Sequence, residues 1–309
     1  MKTWPPVYDA SYHPDPDSAY WFAGMETMDP EEREQTVVLP KLQQQLTYAY
    51  EHSGLYRQKW DAAGVKPEDI RSLDDFEAIP ILTKDELRTD QAEHPPFGSN
   101  LCVSYQELAR VHGTSGTTGK PTAFGISTSD IQRIAETHAR VQWAMGVRPD
   151  DIVLIGSFFS LYWGSWGAML GAERLGATAF PCGAGVPGQT DRAIEWMATV
   201  KPTVFYGTPS YSLYLAERAK ERGFDPARDF NFRILFFSGE PGAGVPSTRK
   251  RIEETYDAIC LDSGSTGEMS PWMTDGECDR RQGMHLWQDA VYAELVDPET
   301  HKRVPYGEE

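Results

Sequence analysis

Along this chain, short apolar runs alternate with segments whose apolar residues recur every three to four positions. The runs are Ile152-Val153-Leu154-Ile155, Ala177-Thr178-Ala179-Phe180, Thr203-Val204-Phe205-Tyr206, Arg233-Ile234-Leu235-Phe236-Phe237 and Ala258-Ile259-Cys260-Leu261. Continuous runs of this length predict strands buried on both faces. Between them the spacing predicts helices over 166–175, 191–199, 211–222 and 246–256. Such alternation predicts an α/β fold, with multilayered parallel-rich sheets covered by helices. Ligands of such sheets bind beyond the carboxyl ends of the strands, so the loops after each strand are where chemistry is expected.

Upstream the pattern changes. Residues 1 to about 30 are rich in Pro, Asp and aromatics without a period, and read as an irregular arm. Asp29-Pro30-Glu31-Glu32 predicts a helix start, with a proline at the first helical position and acids in the first turn. Pro40 is expected to interrupt that helix. Leu42, Leu46, Ala49 and Tyr50 keep helical spacing as far as Ser53-Gly54, and a second helix, Tyr56 to Ala63, is expected to stop at Gly64. Thr83-x-x-Glu86 is a capping box. A further helix, capped by Ser129 or Asp130 and carrying Ile131, Ile134, Val141 and Met145, is expected to close at Gly146. The division this suggests is an arm and helical segment over 1–105 and an α/β core over 106–309.

The formal charge of −17, from 29 basic and 46 acidic side chains in 309 residues, argues against nucleic acid and anionic membrane as partners. Cys102, Cys182, Cys260 and Cys278 form no disulfide-dense pattern, so reduced thiols in a cytoplasmic protein are expected. The N-terminus lacks a signal-peptide core, and no run approaches the roughly 18 apolar residues of a membrane span.

The densest chemical signal is Val111-His112-Gly113-Thr114-Ser115-Gly116-Thr117-Thr118-Gly119-Lys120-Pro121-Thr122. Glycines let backbone N–H groups approach a ligand closely, hydroxyls add donors, and the lysine adds a compact cation. That combination suits phosphate oxygens. A flexible linker would not end abruptly in Lys-Pro between strand-like segments. A Walker-type loop is excluded twice, because Thr114 stands where it needs glycine and Pro121 where it needs Ser or Thr.

Ser115 to Thr122, preceded by Arg110-Val111-His112, resembles the phosphate loop of the phenylacetate–CoA ligase branch of the adenylate-forming enzymes. The resemblance extends through Tyr56-Arg57, Ala63 to Ile70 and Thr83 to Arg88, and through Gly171 to Ala177. It continues in Thr208 to Tyr211, Ser238-Gly239-Glu240-Pro241, Asp262 to Met269 and Glu294 to Thr300. It implies the large N-terminal domain of such an enzyme, with ATP, Mg²⁺ and CoA as cofactors and a small carboxylic acid as substrate. The acceptor of the activated acyl group could equally be a carrier-protein thiol or an amine, and an inert nucleotide-binding module is the rival from another class. A homodimer is a candidate assembly.

Carried over residue by residue, the resemblance assigns Thr114, Ser115, Gly116, Thr117, Thr118, Gly119 and Lys120 to ATP phosphates. It sets Gly239, Glu240 and Pro241 against adenine, and Asp262, Ser263, Gly264, Ser265 and Thr266 along the nucleotide. Lys120, Thr266 and Glu268 are the expected catalytic residues, with Thr266 at the α-phosphate and Glu268 at Mg²⁺. Two departures stand out: Ser263 replaces an aromatic residue, and Gly267 is inserted before Glu268. The loops with Tyr162, Trp163, Gly164, Tyr206, Gly207, Thr208, Phe236 and Phe237 are the expected acyl wall, and their rings suggest an aryl or arylacetic acid. Cys278 and His285 are candidate ligands of a structural Zn²⁺. The family pattern continues past Glu309 into a hinge and a small lid, so the sequence reads as a truncated form or an N-terminal fragment, expected to turn over weakly.

Overall fold

The structure is a computed structural model that describes residues 9–114, 121–270, 272–300 and 302–304. Two compact units emerge, one built on Thr27–Thr128 with residues from Trp287 onward, the other on Ser129–Leu286 with the segment ending at Glu26.

In the first unit, Asp29 caps its helix as expected, its carboxylate accepting from the Glu31 and Glu32 amides at 3.0 and 3.3 Å. Pro40 does not end the helical run. A π-helical turn, Glu34–Val38, leads directly into α1 (Leu39–His52), with the proline inside its first turn. Proline's missing N–H costs little in a first turn, and a widened turn before it eases its clash with preceding carbonyls. Helix α2 (Gly54–Ala63) stops at Gly64 in the left-handed conformation, φ 70°. Trp60 of α2 packs with Leu46 and Ala49 of α1 and with Ile70. Helix α3 (Lys84–Glu93) opens on the full capping box, Glu86 N donating to Thr83 Oγ1 and Thr83 N to Glu86 Oε2. An antiparallel pair, β1 (Leu108–Gly113) and β2 (Ala123–Ser127), flanks the glycine- and hydroxyl-rich loop.

The chain then enters α4 (Thr128–Ala144) directly from β2, so Ser129 and Asp130 lie inside the first turn rather than capping it. The second unit is a seven-stranded sheet: β3 (Ile152–Ile155), β4 (Thr178–Phe180), β5 (Val204–Gly207), β6 (Ile234–Phe237), β7 (Ile259–Ser265), β8 (Met273–Glu277) and β9 (Met284–Leu286). Spatial order is β4-β3-β5-β6-β7-β8-β9; the first five are parallel, β8 pairs antiparallel with β7, and β9 pairs antiparallel with β8. The antiparallel pair has no counterpart in the predicted elements. Asp275, Gly276 and the flanking polar residues give it no apolar run.

Four longer helices follow in the unit: α5 (Gly164–Leu175), α6 (Gln189–Val200), α7 (Pro209–Glu221) and α8 (Pro246–Tyr256). Register assigns the strand faces. Leu154, Phe205, Leu235 and Cys260 are partners across four strands and join the buried cluster that includes Ile194, Leu215 and Ile252 from α6, α7 and α8. Ile155, Tyr206, Phe236 and Leu261 are partners one position on, and side chains alternate across a strand, so this row faces the other way.

That register is pinned at the amino ends of the strands. Asp151, 3% exposed, accepts from the Arg148 amide at 2.7 Å, from Thr203 Oγ1 at 2.7 Å and from Arg233 Nε at 3.0 Å. Thr203 Oγ1 in turn accepts from Ile152 N at 3.0 Å. One carboxylate thereby ties together the starts of β3, β5 and β6. On the other side, the arm ending at Glu26 is irregular but fixed. Buried Glu136 of α4 accepts from Trp21 Nε1 at 2.7 Å and from Arg174 Nε of α5 at 2.8 Å.

Asp151→Ala should lower the unfolding free energy by about 2–3 kcal/mol, at the level of a few charge-assisted hydrogen bonds to a half-exposed guanidinium. Urea unfolding would show this as a lower midpoint at unchanged slope. A midpoint equal to the parent's would mean the strand starts are held by other contacts.

Candidate active site

The carboxyl ends of β5, β6 and β7 and the loop after β3 bring four hydroxyl side chains together. Tyr206 at the end of β5 and Ser238 just past β6 share a buried hydrogen bond of 2.7 Å. The Tyr162 hydroxyl, from the loop after β3, lies 3.3 Å from where a Cβ on Gly239 would stand. The hydroxyls of Ser238 and of Ser265, the last residue of β7, favour its ionised form against the larger effect of burial. Burial pushes the Tyr162 and Tyr206 phenols above the ordinary tyrosine range, so both are neutral donors near neutral pH.

Gly164 makes this convergence feasible. A Cβ there would lie 2.6 Å from both the Tyr162 ring and the Tyr206 hydroxyl, closer than side chains tolerate. Gly207 has a different reason, since the space its Cβ would need is filled by the Phe205 ring at 2.8 Å. Ring–ring packing accounts for most of the aromatics expected to line an acyl pocket. Tyr206 packs tilted against Phe236 at 5.0 Å, Trp163 stacks on Trp272 at 4.1 Å, and Phe237 belongs to the helix-covered cluster on the opposite face from Tyr206. Thr208 caps α7, its Oγ1 accepting from the Tyr211 amide at 3.3 Å.

The turn after β6 has Gly239 at φ 90°. Glu240 places a carboxylate oxygen 2.7 Å from the Ser210 amide, in the first turn of α7. A carboxylate at a helix N-terminus is favoured by its unpaired N–H groups and dipole, which gives Glu240 a positioning role that Gly-Glu-Pro spacing did not disclose. Pro241 follows, exposed.

At the end of β7, Ser263 is buried and donates to the Phe237 carbonyl at 2.7 Å, so its hydroxyl is engaged by the sheet. The pairing of β7 with β8 is irregular between Gly264 and Ser265. A bulge changes the side to which later residues point, and it lies just ahead of the extra Gly267. Gly264 itself sits against the Asp275 carboxylate, where a Cβ would come within 1.9 Å. Beyond the bulge come exposed Thr266 and half-buried Glu268.

Asp262 is half-buried and accepts from the Ser263 amide at 3.0 Å. Burial raises its carboxyl above the usual carboxylate range, and Glu277 and Asp275 push the same way against Arg249. Glu277 forms two bonds of 2.8 and 2.7 Å with Arg249 and accepts from the Asp262 amide at 2.9 Å. Ser238, Trp272, Asp275 and Glu277 are the residues around this site that sequence reasoning did not single out. Ser238 alone had a signal, as the hydroxyl preceding Gly239 at a strand end.

Thr114 and Thr122 close the neck of the glycine-rich loop, Thr114 N donating to the Thr122 carbonyl at 3.0 Å and Thr122 N to Thr114 Oγ1 at 3.2 Å. Gln91 of α3 holds β2 at that point, donating to the Ala123 carbonyl and accepting from its amide at 2.8 and 3.2 Å. Ser115, Gly116, Thr117, Thr118, Gly119 and Lys120 lie outside the described residues. Among the described residues no three His, Cys, Asp or Glu side chains are grouped to hold a metal ion. Cys278 and His285, on the β8–β9 hairpin, therefore have no third such ligand there, which a structural zinc needs. Glu268 fits Mg²⁺ better, because that ion takes one or two carboxylates and completes its shell with phosphate oxygens and water. No helix among the described residues is long and apolar enough to cross a membrane.

The raised Asp262 carboxyl has a signed consequence. A carboxyl whose folded pKa exceeds its unfolded one adds stability below the unfolded value and loses it as pH rises through the folded value. Asp262→Asn should therefore gain stability relative to the parent between about pH 3 and about pH 7. Urea unfolding across that range checks it, and a difference that stays flat or shrinks with pH contradicts the assignment.

Residues 35–309 match the family of AMP-binding enzymes. Phenylacetate-coenzyme A ligases of Pseudomonas putida and Escherichia coli (strain K12) are each 34% identical to this chain, over 271 and 275 residues. Those matches cover 87% and 89% of this chain and 59% and 61% of the relatives, so the chain spans less than two thirds of their length. The structure also superimposes on an open conformation of 2-Hydroxyisobutyryl-CoA Ligase in complex with 2-HIB-AMP and CoA. The TM-score is 0.94 at 51% identity, over 99% of this chain and 70% of that one. The same enzyme in its thioesterification state gives 0.94 at 52% identity, over 64% of its chain. With the family match, a shared parallel-rich sheet and ligase relatives along most of its length, the chain belongs to the AMP-binding enzymes, in the phenylacetate–CoA ligase-like branch of the adenylate-forming group.

Proposed function

We propose that this chain supplies the ATP- and acid-binding part of an AMP-forming acid–CoA ligase, and that its acid is small and carries a hydroxyl group. The observation that supports this most is the convergence of Tyr162, Tyr206, Ser238 and Ser265 at three adjoining strand ends. The Tyr206–Ser238 pair and the nearby Tyr162 hydroxyl can open onto a substrate hydroxyl, a partner that an unsubstituted aryl ring does not offer. The rings nearby favour the same reading. Trp163 has its face against Trp272, and Tyr206 packs tilted against Phe236. The ligase that is 51% identical to this chain is named for a small hydroxy acid.

The reaction proposed has two steps. The substrate carboxylate attacks the α-phosphate of ATP, forming acyl-AMP and releasing pyrophosphate. The CoA thiolate then attacks the acyl carbon and AMP leaves, giving the thioester. In the first step negative charge grows on the α-phosphate oxygens, and preorganised donors stabilise it most. Thr266 is assigned to that phosphate, and Thr114 to Lys120 to the β- and γ-phosphates. Gly239, Glu240 and Pro241, with Asp262 to Ser265, are assigned to the nucleoside. Glu268 would hold Mg²⁺, which when bound neutralises phosphate charge. Tyr162, Gly164, Tyr206 and Ser238 orient the acid.

N-acylsulfamoyladenosines mimic the acyl-adenylate without reacting, and their binding to this chain can be measured by calorimetry. The 2-hydroxyisobutyric derivative should bind at least about tenfold more tightly than the phenylacetic one. The reverse order would favour an arylacetic acid. Heat from neither would overturn the reading. Acid-dependent ATP–pyrophosphate exchange by the whole protein tests the first step, and recovery of the acyl product on CoA rather than on a carrier or amine tests the second.

A further inference from the structure

We infer that Trp272 is a positioning residue for the proposed adenylation, and that Trp163 is the platform through which the acid pocket governs it. The inference rests on the functional reading above only for what the two sites bind. The coupling between them is read from the geometry.

Trp272 organises the turn that carries Thr266 and Glu268. Its amide donates to the Met269 carbonyl at 2.9 Å, its carbonyl accepts from the Thr266 amide at 3.1 Å, and its indole N–H donates to the Gly267 carbonyl at 2.8 Å. One residue therefore fixes three points of the turn. Its backbone lies at φ 73°, a region where a bulky side chain is strained, and such strain persists only where surrounding contacts impose it. The ring is 4% exposed and lies flat on Trp163, with centroids 4.1 Å apart and planes 15° apart.

Trp163 stands between the acid-facing groups. Tyr162, which precedes it, sets its hydroxyl beside Gly239, and Gly164, which follows it, gives way to the Tyr162 ring and the Tyr206 hydroxyl. Trp163 is itself 5% exposed and begins α5, so it cannot shift without moving Tyr162 or the helix start. An acid that displaces Tyr162 must tilt the Trp163 plane, and the Trp272 stack passes that tilt to Thr266 and Glu268. The pocket therefore sets the rate of adenylation, not only the affinity for the acid. A displacement near 1 Å at the reacting centre is enough for about a hundredfold in rate.

The test uses Trp163→Leu, which removes the platform, and Trp272→Gly, which suits the backbone but removes the ring. Hydrogen exchange of this chain should show amides over 266–269 opening about tenfold faster in both variants, while Cys260 and Leu261 of β7 keep the parent's rates. In acid-dependent ATP–pyrophosphate exchange by the whole protein, kcat should fall about ten- to a hundredfold and KM for the acid should stay within about twofold. Unchanged exchange over 266–269 in Trp163→Leu, or a loss confined to KM, overturns the coupling. A parent without any pyrophosphate exchange would instead sink the functional reading, and the hydrogen-exchange arm would still decide whether the stack holds the turn.

Discussion

The parallel register of β3, β5, β6 and β7 is the constraint on which the rest of this unit depends. Four strand ends must finish at matched heights for Tyr206, Ser238 and Ser265 to meet Tyr162, and a slip of one residue would turn each side chain to the opposite face. The sheet is locked at the end away from the chemistry. Asp151 joins the starts of three strands through Arg148, Thr203 and Arg233, and the loops at the other end are then free to carry glycines, bends and a strained tryptophan. Rigid amino ends and variable carboxyl ends divide stability from function within one sheet.

Much of this fold was legible in the sequence because its strands are buried on both faces. Runs such as Val204-Phe205-Tyr206 and Ile234-Leu235-Phe236-Phe237 have little alternative to a covered parallel strand, and they fall within a residue of their observed bounds. What stayed illegible came from tertiary context. Strands β8 and β9 lack an apolar run, because they extend the sheet through backbone pairing with β7 and with each other. Pro40 looked like a break, yet the π-helical turn before it lets the helix continue. Ser129 and Asp130 looked like caps, but β2 feeds α4 without a loop.

The candidate site was legible as a set of loops and less so as chemistry. Glycine, hydroxyl and strand-end signals selected the turns at Ser238 and Asp262, and their hydrogen bonds then separated the roles within them. Ser263 serves the Phe237 carbonyl, Glu240 serves the start of α7, and Gly207 makes room for Phe205. Aromatic content pointed towards an aryl acid, whereas the observed rings largely cover one another. Composition counts rings but does not say which face each presents. Trp272 carried no signal at all, since its importance lies in a stack with a residue more than a hundred positions away.

The central claim is that strand register assembles a hydroxyl cluster that reads the acid. A crystal structure of this chain with the N-acylsulfamoyladenosine of a small hydroxy acid tests it most directly. The account predicts the acyl hydroxyl within hydrogen-bond distance of Tyr162, Tyr206 or Ser238, about 2.6–3.2 Å. An acyl group seated elsewhere, with Tyr206 and Ser238 still bonded only to each other, would contradict it.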